Sequence, residues 1–97
     1  MKIFISQPMK DKTYEQILAE RNIAISRIEQ LYPGSPLEII DSFFCDYDGN
    51  AVQFLGKSIM KLGEADLVVF LSGWNKAKGC RIEEEVANVY GIECLYM

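Results

Sequence analysis

The stretch from Glu64 to Ala87, EADLVVFLSGWNKAKGCRIEEEVA, constrains the fold of this chain more than any other. Leu67-Val68-Val69-Phe70-Leu71 is apolar without alternation, the pattern of a central strand covered on both faces. A loop punctuated by Gly73 and Gly79 follows, and then a helix that carries three consecutive glutamates, Glu83 to Glu85. In an open α/β sheet, ligands bind where strand C-termini meet helix N-termini. A carboxylate at that place either complements the helix dipole or works on a ligand.

The rest of the chain supplies partners for that strand. Lys2 to Ser6 reads as a short apolar strand ending at Gln7-Pro8. Thr13 with Gln16 three residues later is a capping-box pair. Ile17, Leu18, Ala24, Ile25, Ile28 and Leu31 then recur at helical spacing until Tyr32-Pro33-Gly34-Ser35-Pro36 breaks the run. Leu37 to Ile40 is a second, brief strand. Asp41 to Asn50 is a loop, with Asn50 as N-cap of a helix that carries Val52, Leu55, Ile59 and Leu62 on one side and closes at Gly63. Gly79 to Tyr90 is the third helix, Gly91 its C-cap, and Glu93 to Met97 the last strand. The order β-α-β-α-β-α-β predicts one α/β domain over residues 1–97: an open parallel four-stranded sheet, Rossmann-like or flavodoxin-like, with helices on both faces. Strand order 2-1-3-4 is expected, with a switch point between the first and third strands. Four strands are few and the last leaves an open edge, so a homo-oligomer, a dimer or larger, is expected to cover apolar surface.

Composition removes several function classes. There is no histidine among the 97 residues, which rules out Ser-His and Cys-His nucleophile systems and the usual zinc sites and leaves carboxylates as the acid/base groups. A net charge of −4 argues against nucleic-acid binding, because neutralising phosphates takes an excess of Lys and Arg. Lys10, Lys12, Lys76, Lys78 and Arg81 all follow strands, so one end of an acidic protein is either locally basic or simply carries wet, charged loops. Cys45, Cys80 and Cys94 are odd in number with no CxxC pair, which fits free thiols in a reducing cytosol and a cytoplasmic location. Met1-Lys2 runs straight into the first strand without a signal-peptide pattern. No apolar run approaches the ~20 residues of a membrane span.

Placed on a helical wheel, Ile82, Val86, Val89 and Tyr90 form the expected buried stripe of the third helix. Glu84 points nearly opposite and Glu85 lies on one flank. Glu83 lies on the other flank, closest to the apolar centre, with Ala87 leaving open space beside it. Glu83 is therefore the acid placed to be half-buried and oriented, as a nucleophile or acid/base group requires. The alternative is that all three acids complement the positive helix end, at about 0.3–1 kcal/mol each. Ser6-Gln7-Pro8-Met9-Lys10 and Ser72-Gly73-Trp74-Asn75 follow the first and third strands and should face each other across the switch point. Backbone N–H groups there, with a hydroxyl and a lysine, can hold a phosphate or ribose. Trp74 either stacks on a base or packs over its loop. Asp66 contacts a ligand only if the strand entrance bends toward the site; otherwise it is an exposed strand-start residue. Asp46 and Tyr47 either close over the pocket or form a turn, and Cys80 reads as packing.

These residues also resemble a known family. Ile3-Phe4-Ile5-Ser6-Gln7-Pro8-Met9 resembles the opening strand-loop, of the type Y-[LI]-A-G-P-M, of the nucleoside 2-deoxyribosyltransferase-like superfamily. Ala65-Asp66-Leu67-Val68-Val69 resembles its central A-D-x-V-V strand, and Gly79-x-x-x-Glu83-x-x-x-Ala87 is similar to its G-x-x-x-E-x-G-x-A segment. Order and spacing cover nearly the whole chain, with the nearest likeness to small bacterial and phage members. The resemblance implies an N-glycosidic bond hydrolase or transferase acting on a nucleoside or nucleotide, without cofactor or metal. Glu83 would be the nucleophile that attacks the anomeric carbon, and Asp66 would belong to the acidic set on the ligand side. Ser6 and Lys10 would contact sugar or phosphate, and Gly79 would open the nucleophile segment. Relatives are dimers or larger and can complete a pocket with a neighbour's residues. Three positions depart from the pattern: Phe4 stands where an aromatic hydroxyl is expected, Trp74-Asn75-Lys76-Ala77-Lys78 lacks an acid, and Glu85 replaces a glycine. Lys76 and Lys78 favour a phosphorylated ligand, and a non-catalytic module binding a nucleotide or nucleotide-derived signal is the alternative function.

Overall fold

The computed structural model describes residues 1–42 and 48–97. In chain order the elements are β1 (Lys2–Ser6), α1 (Tyr14–Leu31), β2 (Glu38–Ile39), α2 (Ala51–Leu62), β3 (Leu67–Phe70), α3 (Lys78–Val89) and β4 (Glu93–Tyr96). A single 3-10 turn at Trp74–Lys76 leads into α3. Every strand pair is parallel and the order is β2-β1-β3-β4, so this is the open Rossmann-like sheet that the alternation predicts. β2 is shorter than the expected Leu37 to Ile40, although Glu38 and Ile40 N–H groups still donate to Met1 and Ile3 carbonyls. Asp46, Tyr47 and Cys45 lie outside the described residues.

Strand alternation sorts the core into two layers. Ile3 and Ile5 of β1 share one face with Leu67 and Val69 of β3, and Ala24 and Ile28 of α1 pack there. Phe4 points the other way with Val68 and Phe70, against Leu62 of α2 and Ala87 of α3. Full burial of side chains of this size stabilises by roughly 1.5–3 kcal/mol each. Ser6, two residues beyond Phe4, is carried by the same alternation onto the α2/α3 face. Capping boxes close at Thr13–Gln16 and at Asn50–Gln53, each with both reciprocal hydrogen bonds. At the end of α3, Gly91 adopts φ 74°, and Ile92 N–H reaches the Ala87 carbonyl at 2.8 Å. That is a Schellman stop, which favours glycine because a Cβ resists the left-handed region.

The expected buried stripe of α3 is corrected. Ile82, Val89 and Tyr90 are 43%, 70% and 78% exposed, whereas Cys80, Glu83 and Ala87 are buried. Those three stand at i, i+3 and i+7, one face of a helix. Small side chains at Cys80 and Ala87 let α3 sit close to the sheet, and the helix is turned so that Glu83 occupies the centre of the inward face rather than its flank. Averaging apolar positions misplaces this face because three large apolar residues point outward. Among the described residues, no helix is long and apolar enough to cross a membrane.

Candidate functional site

Glu83 is assembled from three separate elements. Ser6 at the end of β1 donates its hydroxyl to Glu83 Oε1 at 2.7 Å. Ser58 of α2 donates to Oε2, also at 2.7 Å. The glutamate is only 6% exposed, and no lysine or arginine pairs with it among the described residues. Burial raises its pKa above the ordinary carboxylate value, while the two hydroxyls pull it back down. The acid is thus fixed in direction and partly desolvated. Cys80, one turn earlier, is buried beside it; desolvation first, and the Glu83 charge further, push its thiol pKa up, so it stays protonated.

Glu83 borders a cavity of about 630 Å³ at the C-terminal ends of β1 and β3. Phe4, Phe54 and Leu55 give it apolar walls, with Ser58 and Ser42 as neutral polar groups. Gln7, Pro8, Met9 and Lys10 line it from the loop after β1, and Gly73 and Gly79 from the other side. The two loops do face each other: a Cβ added to Gly73 would lie 3.6 Å from Pro8 Cγ, and Leu71 N–H donates to the Ser6 carbonyl at 3.0 Å. Lys10, Lys76 and Lys78 stand at the mouth together with Asp11, whose φ of 63° is the one positive value at a non-glycine among the described residues. No side chain caps the first turn of α3 at Ala77, so its leading N–H groups remain available where the helix meets the cavity.

Several expected contributors lie elsewhere. Asp66 is exposed at the opposite, N-terminal end of the strands, where its Oδ2 accepts the Lys2 backbone N–H at 2.7 Å. The strand entrance does not bend toward the cavity, so Asp66 fastens β1 to β3 and is not part of the Glu83 pocket. Ser72, Trp74 and Asn75 do not line the cavity either. Trp74 packs against Phe70 and Tyr96, with ring centroids 5.4 and 5.3 Å away. Ser72 and Asn75 are exposed, and Asn75 borders a separate shallow hollow with Arg81, Glu84 and Glu85. Glu84 accepts from Asn88 at 2.6 Å and from the Tyr96 hydroxyl at 2.8 Å on that outer side.

Three residues escaped sequence reasoning: Ser58, Arg21 and Ser42. Arg21 is buried, and its guanidinium donates to the Ser42 hydroxyl at 2.8 Å and to the Ile40 carbonyl at 3.4 Å. Desolvation lowers its pKa, although Asp41 opposes this. Gln7 turns its amide toward α1, donating to the Ile17 carbonyl and to Glu20, which Lys12 bridges at 2.9 Å. The Lys12 contact holds the Glu20 carboxyl below its usual range. This polar chain locks the far wall of the cavity, and Gln7 serves it with its side chain. A signal was present in both helices. Arg21 interrupts the inward stripe Ile17, Ala24, Ile28, and Ser58 stands one turn before Leu62 on the inward side of α2. A polar residue on a buried helix face has to find a partner.

Fold and site together define an open parallel α/β domain with a carboxylate pocket at its switch point. The chain belongs to the family described as Domain of unknown function (DUF4406), whose model matches residues 38–96, more than half of the chain. No curated protein and no solved structure matches it. The matched segment holds Ser58, Gly79 and Glu83, while Ser6 and the loop to Lys10 precede it.

Proposed function

We propose that this protein cleaves or exchanges the N-glycosidic bond of a nucleoside or nucleotide, with Glu83 as nucleophile. The observation that carries this reading is the buried Glu83 carboxylate on the cavity wall, aimed by Ser6 and Ser58. In the first step a carboxylate oxygen attacks the anomeric carbon. The C–N bond breaks, and its electron pair leaves with the base, which takes up a proton from water. Water or a second base then displaces the carboxylate from the glycosyl ester, restoring Glu83 and the original anomeric configuration. The apolar walls at Phe4, Phe54 and Leu55 suit a base and limit the water around the developing charge. Incubation with deoxynucleosides and deoxynucleotides should release free base, and Glu83→Ala should abolish that release. Equal release by the variant would sink the enzyme reading.

A non-catalytic nucleotide-binding module is the second reading. It is favoured by the occupation of both Glu83 oxygens by hydroxyl donors and by Phe4 at the position of the expected aromatic hydroxyl. A nucleotide recovered intact after heat release from the purified protein supports this module over the enzyme. Either activity fits a cytoplasmic protein with free thiols at Cys80 and Cys94. We also infer a homo-oligomer, supported by the outward-facing Ile82, Val89 and Tyr90 of α3.

A further inference from the structure

The Glu83 cavity has a positively charged mouth in a chain of net charge −4. Lys10 comes from the loop after β1, Lys76 from the 3-10 turn and Lys78 from the first position of α3. All three are exposed and line the cavity, and none forms an ion pair among the described residues. Lys12, by contrast, is drawn away to Glu20 at 2.9 Å. Asp11 is the one acid beside the three ammonium groups among the described lining residues, since Glu83 lies deeper. Like charges gathered at one opening repel each other, and an anion held between them relieves that repulsion.

A neutral nucleoside gives these lysines nothing to bind, whereas a phosphomonoester brings about −1.5 to −2 charges at pH 7 and three acceptor oxygens. Lys78 precedes Glu83 by five residues, about 7.5 Å of helix rise. A ligand with its anomeric carbon at Glu83 and its phosphate at the mouth spans a gap of that order. We propose that the cavity takes a nucleoside monophosphate, with the phosphate held by Lys10, Lys76 and Lys78. This assignment rests on the reading of the Glu83 pocket as an N-glycoside site.

Calorimetric titration of the protein with a 2′-deoxynucleoside, its 5′-monophosphate and inorganic phosphate tests it, alongside base release from the two nucleosidic ligands. The monophosphate is expected to bind roughly tenfold or more tighter than the nucleoside, and the gap is expected to narrow as salt is added. A Lys76→Gln/Lys78→Gln double variant should close most of the gap, and because both side chains are exposed its thermal melt should match the parent. Equal affinity for nucleoside and monophosphate, or a gap that survives in the double variant, overturns the phosphate assignment. In that case base release that depends on Glu83 leaves the N-glycoside reading standing. Inorganic phosphate binding as tightly as the monophosphate marks a general anion patch and overturns the assignment too. Neither binding nor base release with any ligand removes both.

Discussion

Two opposing influences meet at Glu83: burial disfavours its charged form, and the Ser6 and Ser58 hydroxyls favour it. Burial prevails, so the folded-state pKa stands above the unfolded one. The native state therefore holds the proton more readily, and the stability this group contributes is full below the unfolded carboxylate pKa and lost as pH rises through the raised folded pKa. Relative to Glu83→Gln, the parent should lose melting temperature as pH climbs from about 4 and then level off. Parallel pH curves for the two proteins would place this acid in solvent. Any base release should show an acidic limb set by the same raised pKa, because attack needs the ionised form. Ser58→Ala strips one donor from a buried carboxylate and should cost roughly 1–3 kcal/mol in urea melts, while moving that acidic limb to higher pH. Asp66→Asn, far from the cavity, should leave base release intact and lower stability only modestly. A large loss of turnover at normal stability would return Asp66 to the site.

Among the elements, α3 is the one whose inward face departs from its apolar pattern. Its stop at Gly91 follows from local chemistry, as do the capping boxes that open α1 and α2. Strand order followed as well, since the unbroken apolar run at Leu67–Phe70 must lie centrally and β1 is its apolar partner. The rotation of α3 did not follow, because it depends on which neighbours receive each side. Ala87, wholly buried, packs against the sheet, and Ser58 on α2 draws the glutamate inward. Spacing within one helix contains neither partner. Asp66 differs: its place at the strand entrance is legible in the sequence, and the exposed strand-start alternative is the one the structure shows, whereas its ligand-side role comes from the family resemblance alone. Ala87→Leu should overpack this interface at a cost of about 1–3 kcal/mol, and Gly91→Ala should lose about 1–2 kcal/mol. Gly91→Asn should recover part of the latter loss. Chemical denaturation measures all three, and a neutral Ala87→Leu would mean that α3 sits farther from the sheet than described.

Among the described residues, Val52, Met60, Val89 and Tyr90 are each at least 70% exposed, apolar surface that a second copy could cover. Sedimentation equilibrium should report self-association, and Val89→Glu should weaken it. A parent that stays monomeric at every concentration removes the inferred oligomer. One further property comes from the spacing of the Glu83 partners. Ser6 and Glu83 are 77 positions apart, and Ser58 and Glu83 are 25 apart. A nascent chain must therefore emerge past Glu83 before the pocket exists; the part from Asn50 onward holds Ser58 and Glu83 but lacks Ser6 and the wall after β1. Two fragments divided just before Asn50 should each be inert, and whatever ligand binding the intact protein has should return only on mixing, as β1, already paired with β2, docks along the open edge of β3.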